Sequence, residues 1–170
     1  PGKIYTVDEA MRSFQRPLKN QKFRRGKDMF AATACIVCHR FGYDGGGIGP
    51  DLTGSGSRYT IRDLLENIIE PSKVVSDIYE AERFETENGN VMIGQVVGEE
   101  EGYYTVMVNP FAPEQTRRLN PEEIVSRRTH DQSLMPPGLL NSLNQNELRD
   151  LIAYIISGGN EQDPMFQQKK

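Results

Sequence analysis

A mainly α-helical fold with a small antiparallel β insertion is what this sequence predicts, on three observations. Apolar residues recur at helical spacing in three stretches, 27–38, 61–68 and 148–155. Between the second and third, residues 76–119 change to a period near two and are punctuated by turn residues. Both cysteines of the 170-residue chain fall in one short run, Cys35-Ile36-Val37-Cys38-His39. No further cysteine pair is left to complete a Cys-rich zinc site, so the apolar faces must carry the fold.

Residues 1–25 are polar and basic and read as a peripheral N-terminal extension. A short helix at 8–14 is stopped there by Pro17. The principal domain spans 26–159, interrupted by the β-rich insertion at 76–119. Its first helix, 27–38, places Met29, Phe30 and Ala34 on one side, and Gly26 at its start allows another element to come close. Residues 41–54 are loop by composition. Thr60 caps the second helix with Asp63 three residues on, Ile61, Leu64, Leu65 and Ile68 form its stripe, and Pro71 ends the run.

In the insertion, 79–86, 91–97, 103–108 and 115–119 read as strands, with Asn88-Gly89 as a tight turn. Val91, Ile93 and Val97 are taken as the inward face of the second strand. Asn120-Pro121-Glu122-Glu123 starts a short helix. A loop around Met135-Pro136-Pro137 follows. The last helix has Asn144 as cap, Glu147 in the capping-box position, and Leu148, Leu151, Ile152 and Ile155 as its buried stripe. Gly158-Gly159 end it, and 160–170 form a polar tail.

Charge and hydropathy bound the function. The formal net charge is -4, with only two short basic clusters, at 22–27 and 117–128. That argues against a nucleic-acid partner. No apolar run is long enough to span a bilayer. The glycine-rich loop at 41–54 lacks a Gly-Lys-Ser or Gly-Lys-Thr ending, so it is not a nucleotide loop.

The run Cys35-x-x-Cys38-His39 points to covalent attachment of haem c. One helical turn separates the thiols, so both sulfurs reach the two vinyl groups of one porphyrin and His39 is carried under the ring as iron ligand. A thioredoxin-like pair needs a βαβ setting that is absent, and a Cys35–Cys38 disulfide would be strained and leave His39 unexplained. A zinc site of Cys35, Cys38, His39 and His130 fits the usual ligand spacings poorly. For the second axial position the candidates are methionine and histidine. Met135, braced by Pro136 and Pro137, is the leading one; His130 and a vacant position are the alternatives.

These residues resemble the class I cytochromes c. The resemblance rests on the Cys35–His39 motif, on Gly49-Pro50-Asp51-Leu52, on Met135-Pro136, and on a terminal helix carrying Tyr154. More closely, 25–156 looks like the haem-binding domain of planctomycetes and related bacteria, in which Glu70-Pro71-Ser72-Lys73 and Asn88-Gly89 also take part. The resemblance implies that the Pro50 carbonyl accepts from His39, that Met135 is the distal ligand, and that the helix bearing Gly26 and Phe30 crosses the last helix near Leu151 and Tyr154. It also suggests Arg58 near a haem propionate, where a guanidinium–carboxylate contact is physically favourable; a solvated arginine is the alternative.

With His39 and Met135 both on iron, one-electron transfer is the expected function. The partners are then a redox donor and acceptor, within a dehydrogenase or a respiratory chain. Attachment chemistry points to a periplasmic or other extracytoplasmic location. The competing readings are a haem enzyme or gas sensor with an open distal face, and a docking module with a structural haem.

Overall fold

The computed structural model describes residues 3–167. They form two units, one made of residues up to 70 and from 137 onward, the other running from Pro71 to Pro136.

The first unit is built on a crossing of two helices. Helix α6 (Gln145–Ile156) starts as its sequence dictates: the Asn144 side chain accepts from the Asn146 and Glu147 N–H groups, and Glu147 reaches back to the Asn144 N–H at 2.8 Å. Helix α2 (Phe23–Ala32) lies against it through Gly26. A Cβ there would collide with the Asp150 carbonyl and sit 2.8 Å from Tyr154 Cβ, so only a hydrogen fits. Asp150, 1% exposed on α6, accepts from the Lys22 N–H at 3.0 Å and from Arg25 Nε at 2.6 Å. That carboxylate therefore caps one helix from the flank of the other. Phe30 is fully buried, its ring centroid 5.1 Å from Phe41 and 5.7 Å from Tyr154. Helix α5 (Ile61–Ile69) adds Leu64 and Leu65 to this core and opens with the expected Thr60–Asp63 capping box.

Both ends of the chain depart from expectation. Residues 7–14 are helical, as α1 (Val7–Met11) and a 3-10 turn (Arg12–Phe14), but they are no peripheral extension. Tyr5, Val7 and Ala10 are buried. The Tyr5 hydroxyl donates to the Leu143 carbonyl at 2.9 Å. Arg149 donates to the carbonyls of Ser13, Arg16 and Pro17 at 2.5, 3.0 and 2.8 Å. The end of a helical segment leaves carbonyls without intrahelical donors, and a guanidinium fork supplies several at once. At the other end the Gln21 N–H donates to the Met165 carbonyl at 2.9 Å, and the Phe166 ring meets Phe23 edge-on at 5.3 Å. As far as Gln167 the polar tail is docked, through the Met165 carbonyl and the Phe166 ring.

The second unit is an antiparallel sheet of five strands: β3 (Glu82–Thr86), β4 (Val91–Glu100), β5 (Tyr103–Met107), β6 (Thr116–Leu119) and β7 (Ile124–Thr129). A two-stranded hairpin, β1 (Arg40–Phe41) and β2 (Asp44–Gly45), precedes these strands in the first unit. The strand order is β6-β5-β4-β3-β7, with a 3-10 turn (Pro121–Glu123) before the last strand.

Phe84, Val106 and Leu119 form its core, with Met92, Val96 and Tyr104 packed against them. Val91, Ile93 and Val97 are exposed, contrary to expectation. Side chains alternate faces along a strand, so reading its parity one residue out inverts the whole set. A bulge between Val96 and Gly98 shifts the register further along. The fifth strand, β7, is absent from the sequence reading, where its arginines counted as a basic cluster. Arg127 instead makes a forked contact to Glu82 at 2.7 and 2.9 Å and covers the Phe84 and Tyr104 rings, 5.5 and 5.1 Å from their centroids. The guanidinium plane closes the core as an apolar residue would. Since β3 pairs with β7 and the His130 N–H donates to the Ala81 carbonyl at 2.8 Å, the chain enters and leaves the sheet side by side.

Phe30→Ala should destabilise the protein by roughly 3–5 kcal/mol, the range for truncating a buried aromatic. Chemical denaturation followed by circular dichroism measures it, and a change no larger than an exposed substitution gives would contradict the packing at the crossing.

Candidate functional site

Helix α2 cannot run on into the cysteines. The Thr33 and Ala34 N–H groups bond back to Met29 and Ala31, each at 2.9 Å, and Ala34 then takes φ +60°, in the left-handed region. The single helix expected over 27–38 is therefore two. The separate turn α3 (Cys35–Cys38) holds both thiols on its own axis, and the His39 N–H closes it on the Cys35 carbonyl at 2.9 Å. Cys35 is buried in the core of the first unit; Cys38 is half-buried. Thr33 Oγ1 donates to the Met29 carbonyl at 2.8 Å and lies 3.3 Å from Cys35 Sγ.

Behind the motif the loop folds back along it. The Gly46, Gly49 and Leu52 N–H groups donate to the carbonyls of Ile36, Cys38 and Arg40, each at 2.9 Å. Part of this stretch, expected as plain loop, is the β1–β2 hairpin. Gly49 lies against the imidazole: a Cβ there would stand 2.8 Å from Cε1 and 2.9 Å from Nδ1 of His39. The ring's position is completed by Pro50, whose carbonyl accepts from Nδ1 at 2.8 Å. A carbonyl can only accept, so the proton is on Nδ1 and Nε2 carries the lone pair. Burial pushes the His39 pKa below its ordinary value, partly offset by the Pro50 contact, so the ring is neutral at pH 7. Burial pushes both thiols up, Cys35 in spite of its Thr33 contact. A redox-active Cys-x-x-Cys pair requires the opposite shift, and no disulfide joins the two sulfurs. Among the described residues no group of three or more His, Cys, Asp or Glu side chains is arranged to hold a metal ion.

The sequence model of the cytochrome c family matches residues 23–158. The chain belongs to the cytochrome c family. No curated protein matches it. As a cytochrome c it holds one covalently bound haem c with its iron, and its role is to carry electrons, without a catalysed reaction of its own. The donor set suits that group. Two protonated sulfurs lie on one turn beside a neutral imidazole whose Nε2 lone pair is set by its neighbour, an ordering in which an outer contact orients a ligand. The hydrogen-only cradle at Gly49 keeps the imidazole from being displaced.

The remaining expected site residues divide between the units. Arg58 is in the first, at the end of the short helix α4 (Ser55–Arg58). It donates to the Asp51 carbonyl at 2.9 Å, next to Pro50, and its guanidinium stands 5.9 Å from the Tyr59 ring centroid. Met135 and His130 are in the second unit. The Met135 N–H donates to Ser133 Oγ at 3.1 Å, and the Ser133 N–H to Ser72 Oγ at 3.0 Å. The His130 imidazole is 3.8 Å from the Asp131 carboxylate. Sequence reasoning passed over Thr33 and Ser133. The available signal was a hydroxyl residue two positions before Cys35 and two before Met135, the spacing of a local side-chain turn.

Gly49→Ala should cost about 1–3 kcal/mol, because the imidazole must move to admit the methyl group. Denaturation of the haem-loaded protein, with its absorption spectrum as a second readout, tests this; unchanged stability and spectrum would show that His39 has room to spare.

Proposed function

We propose that this cytochrome c transfers single electrons outer-sphere, with His39 and Met135 as axial ligands of its iron. The observation that carries the reading is His39 held neutral, with Nδ1–H on the Pro50 carbonyl and Nε2 left as the donor atom. Haem c supplies reversible one-electron chemistry and an edge through which electrons pass. Cys35 and Cys38 tether it by thioethers, and Pro50 keeps the imidazole from rotating. Arg58, already anchored on Asp51, directs its remaining N–H groups towards a propionate. The Met135 thioether, rather than a second imidazole, raises the potential. With both axial positions held by side chains, no coordination site remains for a substrate.

The finer family assignment belongs to the same proposal. Glu70-Pro71-Ser72-Lys73, the Asn88-Gly89 turn and a strand-rich module ahead of Met135-Pro136 favour the planctomycete-type haem-binding domain. That type implies a redox partner or fused dehydrogenase as donor or acceptor. Haem attachment implies a periplasmic or other extracytoplasmic site of action. No described helix is long and apolar enough to cross a membrane.

Acid–acetone extraction should leave the haem with the polypeptide. The oxidised protein should show the weak methionine-to-iron charge-transfer band, and Met135→Ala should abolish that band, lower the potential and admit cyanide or carbon monoxide. Rapid carbon monoxide binding by the unaltered protein would favour the open-face enzyme or sensor instead. Loss of the ligand on His130→Ala would replace Met135 with a second histidine.

A further inference from the structure

The Pro50 carbonyl that fixes the His39 tautomer lies in a stretch, 49–53, in which the family resemblance gives a role to Pro50 alone. Two backbone bonds lay this stretch along the motif, one on each side of His39. The Gly49 N–H donates to the Cys38 carbonyl and the Leu52 N–H to the Arg40 carbonyl, each at 2.9 Å. Between them Pro50 has no N–H to give, and its ring fixes its own φ. Its carbonyl therefore turns only with the planar peptide that joins it to Asp51. Asp51 is held at two places. Its carbonyl accepts from Arg58 Nη2 at 2.9 Å. Its Oδ1 accepts from the Thr53 N–H at 2.8 Å and from the Thr53 hydroxyl at 2.5 Å. The same hydroxyl accepts the Gly42 N–H at 2.9 Å, at the turn of the β1–β2 hairpin. The Thr53 contacts hold the Asp51 carboxyl below the usual carboxylate range, so it is ionised at pH 7 and its bonds are charge-assisted.

We infer that Asp51 and Thr53 are positioning residues that hold the Pro50 carbonyl on His39 and so tune the imidazole as a donor to iron. The inference rests on His39 being an iron ligand. A carbonyl that accepts from Nδ1–H makes the ring a stronger base at Nε2. The gain depends on alignment, because an N–H···O bond weakens steeply as it bends. Gly49 fixes the ring from one side, so the remaining freedom is the carbonyl's own, and Asp51 and Thr53 remove it. A stronger imidazole favours ferric iron. Loosening the carbonyl therefore moves the potential upward. Both side chains are exposed, so replacing either disturbs no core packing.

The test uses the haem-loaded protein and the Thr53→Val variant, which removes the hydroxyl and leaves every charge in place. Two quantities are read, the exchange of the His39 Nδ1 proton with solvent, by NMR of the ferrous form, and the reduction potential. Thr53→Val should speed the exchange roughly fivefold, the worth of one ordinary hydrogen bond, and raise the potential. Thr53→Ser should restore both. Asp51→Ala should speed the exchange at least as much; exchange alone is compared there, because the lost charge shifts the potential by itself. Unchanged exchange in either variant would overturn the inference. So would faster exchange in Thr53→Val with the potential unmoved, or a loss of stability with both quantities at their wild-type values. A His39→Gly variant that kept the wild-type haem spectrum would overturn the ligand assignment itself, and the inference with it.

Discussion

The approach of α2 to α6 at Gly26 is the constraint on which the first unit depends. Helix axes come this close only where a side chain is missing, and here the missing Cβ would occupy the place of the Asp150 carbonyl and Tyr154 Cβ. The contact brings Lys22 and Arg25 onto Asp150, which fixes where α2 begins. It also brings Phe30, Phe41 and Tyr154 into mutual contact, which fixes where α2 ends. The haem motif begins three residues after Ala32. Its orientation is therefore set by the crossing, through one left-handed residue at Ala34. Asp150 cannot be replaced lightly in such an arrangement. A carboxylate buried to 1% exposure is tolerable only while its donors remain, and removal of the Arg25 guanidinium leaves an uncompensated charge.

What was legible in the sequence follows the range of the interactions. The starts of α5 and α6 are local events, settled by a capping side chain and a carboxylate three residues on, and Thr60–Asp63 and Asn144–Glu147 are visible as pairs of letters. The aromatic crossing was legible because Gly26 and Phe30 are one turn apart. The break between α2 and α3 was not, since alanine is a strong helix former and nothing in its side chain announces φ +60° at Ala34. Strand β7 was hidden for a related reason. Arg127 reads as charge in the sequence, but its flat guanidinium lies on two aromatic rings while its N–H groups satisfy Glu82. The inward face of β4 was assigned to the wrong parity because hydrophobicity alone marks both faces of that strand: Val91, Ile93 and Val97 are as apolar as Met92 and Val96.

The site was legible to the extent that its chemistry is covalent. On the proposed assignment Cys35, Cys38 and His39 serve one porphyrin, which requires them to be adjacent, and the spacing of the three letters is what suggested it. The contacts that hold them are long-range in a different sense. Pro50 is eleven residues from His39, and the bond between them depends on a loop folded back by three backbone hydrogen bonds. Only the resemblance to a family, and not the residue pattern, pointed to it. Ser72 and Ser133 lie 61 residues apart and meet because β3 and β7 pair, so the sheet's closure brings them together. A strand that the sequence reading lacked could not have predicted a contact that requires it.

Electron transfer places a particular demand on such a scaffold. The same ligands must serve both oxidation states with little movement, because any rearrangement adds to the barrier. Rigidity around His39 is built from atoms that cannot adapt: a carbonyl that only accepts, a glycine whose replacement would strike the ring, and a helical turn two residues clear of α2. The five-stranded module has its two ends side by side at Ala81 and His130, so its sheet closes on itself where the chain enters and leaves it.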